Sequence, residues 1–140
     1  MSPSRPNVLL IMTDEHRGDA LGIEGHPVVE TPYLDSIGAS GFHFTNAYSA
    51  SPVCIPARRT VMTGAKASSH GVFMNYPTHL DLTTLPEVLS QAGYQTHLVG
   101  KLHLTPHRKL YGFDSADWAD APAQPDTSRV NNDYQLFLME

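Results

Sequence analysis

The segment that most constrains this chain lies near its start. Asn7-Val8-Leu9-Leu10-Ile11-Met12-Thr13 is a continuous apolar run without period-2 alternation. Such a run predicts a strand buried on both faces, as in a parallel sheet. It ends in Asp14-Glu15-His16, a polar cluster at the strand's carboxyl end, which is where open α/β sheets bind ligands. Val8 to Met12 is too short for a signal-peptide core or a membrane span, so the expected setting is soluble and cytoplasmic.

Helix and strand signals alternate further on. Thr31-Pro32 predicts a helix, with Thr31 as N-cap, Pro32 in the first turn and Gly41 as the stop. Phe42 to Ala47 alternates apolar and polar and predicts a strand. Pro52 to Pro56 reads as a loop, with Pro56 starting a helix that runs to Gly64. Thr84 to Ala92, stopped by Gly93, predicts a third helix. It leads into a short strand, Thr96 to Val99, followed by Gly100-Lys101-Leu102-His103. This order argues for an α/β fold with a parallel component. Ala119 to Asn132, rich in Pro, Asp, Ala and Ser, reads as an excursion, and Asp133 to Glu140 as the opening of another helix.

Composition excludes several classes. With 41% hydrophobic and 16% charged residues over 140 positions, the chain is neither a disordered tail nor a fibre. The net charge of −5 and the lack of any Lys/Arg run argue against a nucleic-acid partner, and no span argues for a membrane. One cysteine excludes an internal disulfide framework.

A few residues carry possible chemistry. Asp14 and Glu15 are a solvated turn or part of a hard-cation site. Arg17-Gly18-Asp19 is a chance tripeptide. Cys54, in Cys54-Ile55-Pro56-Ala57-Arg58, is either a small buried hydrophobe or a nucleophile. Its Pro-bracketed loop, the following helix N-terminus and Arg58 in the first turn favour the nucleophile. Lys101 and His103 are surface residues or, if the strand continues, two groups on one side of the sheet edge that bind an anion and move a proton. His16 is a possible neighbour of the carboxylates. His26, His79, His97 and His107 lack metal-ligand spacing and read as structural.

Taken together, these segments resemble the sulfatase family of the alkaline-phosphatase-like superfamily. The resemblance rests on Asn7 to Asp14, Thr31-Pro32-x-Leu34-Asp35, Gly41-x-x-Phe44-Thr45-Asn46-Ala47-Tyr48 and Cys54-x-Pro56-x-Arg58. Met62-Thr63-Gly64, His70-Gly71-Val72, Gly93-Tyr94-x-Thr96 and Gly100-Lys101-x-His103 follow in the same order. It implies a largely parallel central sheet flanked by helices, of which residues 1–140 are an incomplete N-terminal portion.

The resemblance also implies a chemistry. Cys54 matches the cysteine that a formylglycine-generating enzyme converts to an aldehyde, whose hydrate attacks the sulfur of a sulfate ester. Its second hydroxyl then expels sulfate without attack of water on sulfur. Asp14 and the Cys54 position would ligate one divalent metal, Ca²⁺ first, with Mg²⁺ or Mn²⁺ as alternatives. Arg58 would stabilise the diol, Lys101 would bind sulfate oxygens, His103 would accept a proton, and Asn75 would contact substrate. Glu15 stands where many members carry aspartate, and Ile55 and Ala57 replace the commoner small hydroxyl residues.

The expected activity is hydrolysis of aryl or small alkyl sulfates. The alternatives are a phosphonate or phosphate ester hydrolase of the same superfamily, or a non-catalytic binding module with Cys54 unmodified. Asp14, Glu15 and position 54 supply at most three metal ligands, so residues 1–140 are expected to be inactive alone and to expose apolar surface.

Overall fold

Cap chemistry places the first helix where the sequence does. The computed structural model describes residues 5–120 and 133–138. In it α1 spans Pro32–Ser40, with Thr31 as N-cap and Gly41 as C-cap. The Thr31 hydroxyl does not cap its own helix. It donates to Asp35 Oδ1 at 2.7 Å and accepts the Gly22 N–H at 2.8 Å, while Ile23 N donates to the same Asp35 oxygen at 3.0 Å. This network ties a single 3-10 turn, Gly22–Glu24, onto the helix. A Cβ at 22 would stand 2.3 Å from Asp35 Oδ2 and would displace that carboxylate from the network.

The chain divides into two units, Met1–Ala47 and Tyr48–Glu140. No described residue of the first unit is buried. Two expected strands are absent from it. Val8 to Met12 is irregular and exposed, Leu9 at 84%. Phe42 to Ala47 is likewise exposed, with a turn at Thr45 and Asn46. An apolar or alternating run becomes a strand only when a neighbour takes its N–H and C=O groups. Among the described residues both named strands lie in the other unit.

In the second unit α2 spans Cys54–Thr63, α3 Ala67–His70 and α4 Leu85–Gln91. Strand β1, His97–Gly100, pairs in parallel with β2, Ser115–Trp118, and α5 covers Asp133–Leu138. The parallel α/β character is therefore as expected. α2 begins two residues before Pro56, so the proline occupies a first-turn position where no intrahelical N–H is needed. α4 has a full capping box: Thr84 Oγ1 accepts the Glu87 N–H and Glu87 reaches back to Thr84 N. The Thr84 hydroxyl also donates to Tyr111 O at 2.5 Å. Such a cap is worth about 1 kcal/mol.

Met62, Leu80, Leu102, Leu104, Tyr111 and Trp118 form the core, with Leu98, Phe113 and Ala116 packed against it. Each fully buried large side chain there contributes about 1.5–3 kcal/mol. Burial pushes the Tyr111 phenol up to about 12, and its hydroxyl donates to Pro106 O at 2.9 Å. The expected apolar surface is present, with Val99 at 75% and Phe137 at 71% exposure. The excursion lies, over 121–132, outside the described residues, as do 139 and 140 of the final helix. Among the described residues no helix is long and apolar enough to cross a membrane.

Candidate active site

The motif around Cys54 is built on one helical face. Ile55, Arg58, Arg59 and Met62 follow the i, i+3, i+4, i+7 spacing, and all four are buried. Two of them are arginines, and a buried guanidinium is tolerable only when hydrogen-bonded. Arg59 donates to the carbonyls of Thr78 at 3.2 Å and His79 at 3.0 Å. Arg58 Nη1 donates to the carbonyl of Lys101. These bonds fasten α2 to the chain at 78–79 and to the loop after β1 at Lys101.

Cys54 occupies the first turn of α2, half-buried and reduced. The helix start lacks a side-chain cap from Val53. Instead Asn75 Oδ1 accepts the Ile55 N–H at 2.9 Å from a loop 20 residues on. One of the otherwise unsatisfied first-turn donors is thereby matched. Asn75, expected from the resemblance to contact substrate, thus has a defined structural contact beside Cys54.

The loop after β1 also reaches Cys54. Gly100 ends the strand at φ 107°, a backbone region that favours glycine, with no neighbour within 4 Å of a Cβ built there. Lys101 Nζ stands 3.9 Å from Cys54 Sγ. Extended geometry does not continue to His103, which has φ 56°. The simple alternation that would put Lys101 and His103 on one side therefore does not apply. A non-glycine residue in that region costs about 1–3 kcal/mol. The backbone N–H of His103 donates to both carboxyl oxygens of Asp120, at 3.1 and 2.9 Å.

The second unit thus brings Cys54, Arg58, Lys101 and Asn75 together, with His103 two residues beyond Lys101. Asp14 and Glu15 lie in the first unit, in a bend, with Glu15 at φ 57°. His16 Nε2 is 3.1 Å from the carbonyl of Ala20. The Arg17-Asp19 pair is an exposed ion pair at 2.6 Å. Among the described residues no three His, Cys, Asp or Glu side chains converge on a metal position. Ca²⁺ takes about 6–8 oxygens and Mg²⁺ an octahedron, so the donor set of these residues is incomplete and supports no step through a metal.

Sequence reasoning gave no individual role to Arg59, His70 or Asp120. His70 Nδ1 accepts the Val72 N–H at 3.2 Å, which leaves Nε2 facing Thr60 Oγ1 at 3.3 Å. Arg59 was detectable from its helical spacing. Asp120 carries no local signal, because only the strand pairing brings it to His103.

A parallel strand pair with helices, and a half-buried cysteine at a helix start with a lysine ammonium 3.9 Å away, make up this α/β unit. Its fold is of the alkaline-phosphatase-like kind. One similar solved structure is a complex with its substrate D-glucosamine-2-N,6-O-disulfate: TM-score 0.73, 36% identity, 82% of this chain and 23% of that one. Another is the phosphonate monoester hydrolase of Agrobacterium radiobacter: TM-score 0.66, 31% identity, 91% of this chain and 23% of that one. The arylsulfatase of Clostridium perfringens (strain 13 / Type A) is 42% identical over 116 residues, 78% of this chain and 23% of that protein. The sulfatase family profile matches residues 6–138. The chain belongs to the sulfatase family. It spans about a quarter of the length of the curated relatives it matches.

Proposed function

We propose that the protein containing these residues hydrolyses sulfate esters, with the side chain at position 54 as the covalent nucleophile. The observation that carries this reading is the 3.9 Å approach of Lys101 Nζ to Cys54 Sγ at the start of α2. An ammonium beside a nucleophile at a helix N-terminus suits an anionic ester, because both supply positive potential to the incoming group. Formylglycine at position 54 would supply a hydrated aldehyde, whose second hydroxyl can clear the covalent ester.

Each residue of the chain then has a definite task. Lys101 binds and orients the sulfate oxygens. Arg58 holds the carbonyl of Lys101, which keeps that ammonium at the helix start, and its guanidinium lies one helical turn from position 54 to steady the reacting oxygen. His103 handles the proton. Asn75 fixes the first turn of α2 and with it the direction of the nucleophile. Asp14 is the proposed contribution to a divalent metal, Ca²⁺ before Mg²⁺ or Mn²⁺. The rest of the ligands would come from outside residues 1–140.

Aryl or small alkyl sulfates are the proposed substrates, and a formylglycine-generating enzyme is the implied partner. The likeness to a phosphonate monoester hydrolase favours one second reading, a phosphonate or phosphate ester hydrolase. Paired kcat/KM values on an aryl sulfate and the matching aryl phosphonate, measured on the full-length protein, separate the two. The sulfate is expected to be preferred by at least about 10²-fold, the scale of one well-placed charged contact. A preference for the phosphonate would reverse the assignment. Absence of turnover on either ester would favour a binding module.

A further inference from the structure

We infer that Asp120 is a positioning residue for the Lys101–His103 loop, acting through the backbone of His103; the inference rests on the sulfate-ester reading above. Its basis is the parallel register. Gly100 pairs with Trp118, and Ala119 N donates to Gly100 O at 3.1 Å. The chain leaving β2 therefore runs beside the loop leaving β1, and Asp120 arrives level with His103.

Asp120 is 1% exposed, one of the most deeply buried side chains described. A carboxyl group is costly to bury unless donors meet it. One donor that meets it is the N–H of His103, whose backbone is left-handed, at 2.9 and 3.1 Å to its two oxygens. His107 Nε2 lies 3.7 Å from Oδ2 on the other side. The ring of His107 is tilted 42° against Trp118, with centroids 6.1 Å apart. Core packing thus fixes Asp120, and Asp120 in turn holds a backbone conformation that histidine does not favour. The held segment begins at Lys101, whose carbonyl takes Arg58 and whose ammonium meets Cys54. The contacts described for Asp120 go to the His103 backbone and to His107, and the proposed path from it to Lys101 runs through the loop.

The test compares Asp120→Ala and Asp120→Asn in the full-length protein on an aryl sulfate, with amide hydrogen exchange of the loop in the unaltered protein. Asp120→Ala is expected to lower kcat and kcat/KM together by about 10²-fold, the cost of a small misplacement of reacting groups. Asp120→Asn keeps an oxygen for the His103 N–H and is expected to recover most of that loss. The His103 amide is expected to exchange slowly. A folded Asp120→Ala variant with unchanged kcat would overturn the inference, as would equal losses in both variants. Rapid exchange at His103 would overturn it even if the alanine variant fails to fold. An unaltered protein that does not turn over the sulfate would count against the sulfate-ester reading instead, and slow exchange at His103 would still support the hold by Asp120.

Discussion

Replacing Cys54 with alanine in the full-length protein is expected to abolish sulfate-ester turnover while the fold stays in place. Cys54 is half-buried and lies outside the core cluster, so removal of one sulfur atom leaves no large cavity. Alanine is also the best helix former, and position 54 is already helical. The contacts that hold the helix start, Asn75 to Ile55 N and Arg58 to Lys101 O, do not involve the Cys54 side chain. Chemistry has no such reserve. A covalent nucleophile is without substitute, and its removal costs about 10⁴-fold or more in kcat. Steady-state kinetics and a thermal melt on the same preparation measure both halves. Turnover near that of the unaltered protein would remove Cys54 from its assigned role.

The second large effect is expected at Lys101. Replacing it with methionine keeps most of the aliphatic stem and deletes the charge. The bond from Arg58 goes to the Lys101 backbone carbonyl, which any residue supplies, so the loop should keep its place. What is lost is the ammonium 3.9 Å from the nucleophile position. A fixed charge aimed at a developing anion is worth about 10²–10³ in rate. Turnover should fall by that factor, the melting midpoint should hardly move, and bound divalent metal should be unchanged, because an ammonium has no lone pair to ligate with. Metal loss in this variant would mark Lys101 as structural.

What the sequence made legible follows from how local each signal is. α1 and α4 start at Thr31-Pro32 and Thr84-Leu85-Pro86 because caps and first-turn prolines act over a few residues. The start of α2 was read late, since a proline is accepted anywhere in the first turn and does not mark its first residue. Val8 to Met12 and Phe42 to Ala47 have strand-like patterns, yet a strand is a pairing, and among the described residues the ladder runs between β1 and β2. The same distinction divides the site. Arg58 follows Cys54 by one helical turn, which a short window shows. Its bond to the Lys101 carbonyl and the 3.9 Å approach of Lys101 Nζ to Cys54 Sγ join two distant segments. Asn75 at the start of α2 and Asp120 beneath His103 depend on loops and register that no short window of sequence contains.

The role of position 54 is the centre of the account, and peptide mass spectrometry reads it directly. The full-length protein, produced with a formylglycine-generating enzyme, is digested and the peptide spanning residue 54 is weighed. The expected product has lost one sulfur and two hydrogens and gained one oxygen at Cys54, with the hydrate beside it. An unmodified thiol in a preparation that still hydrolyses sulfate esters would contradict the account.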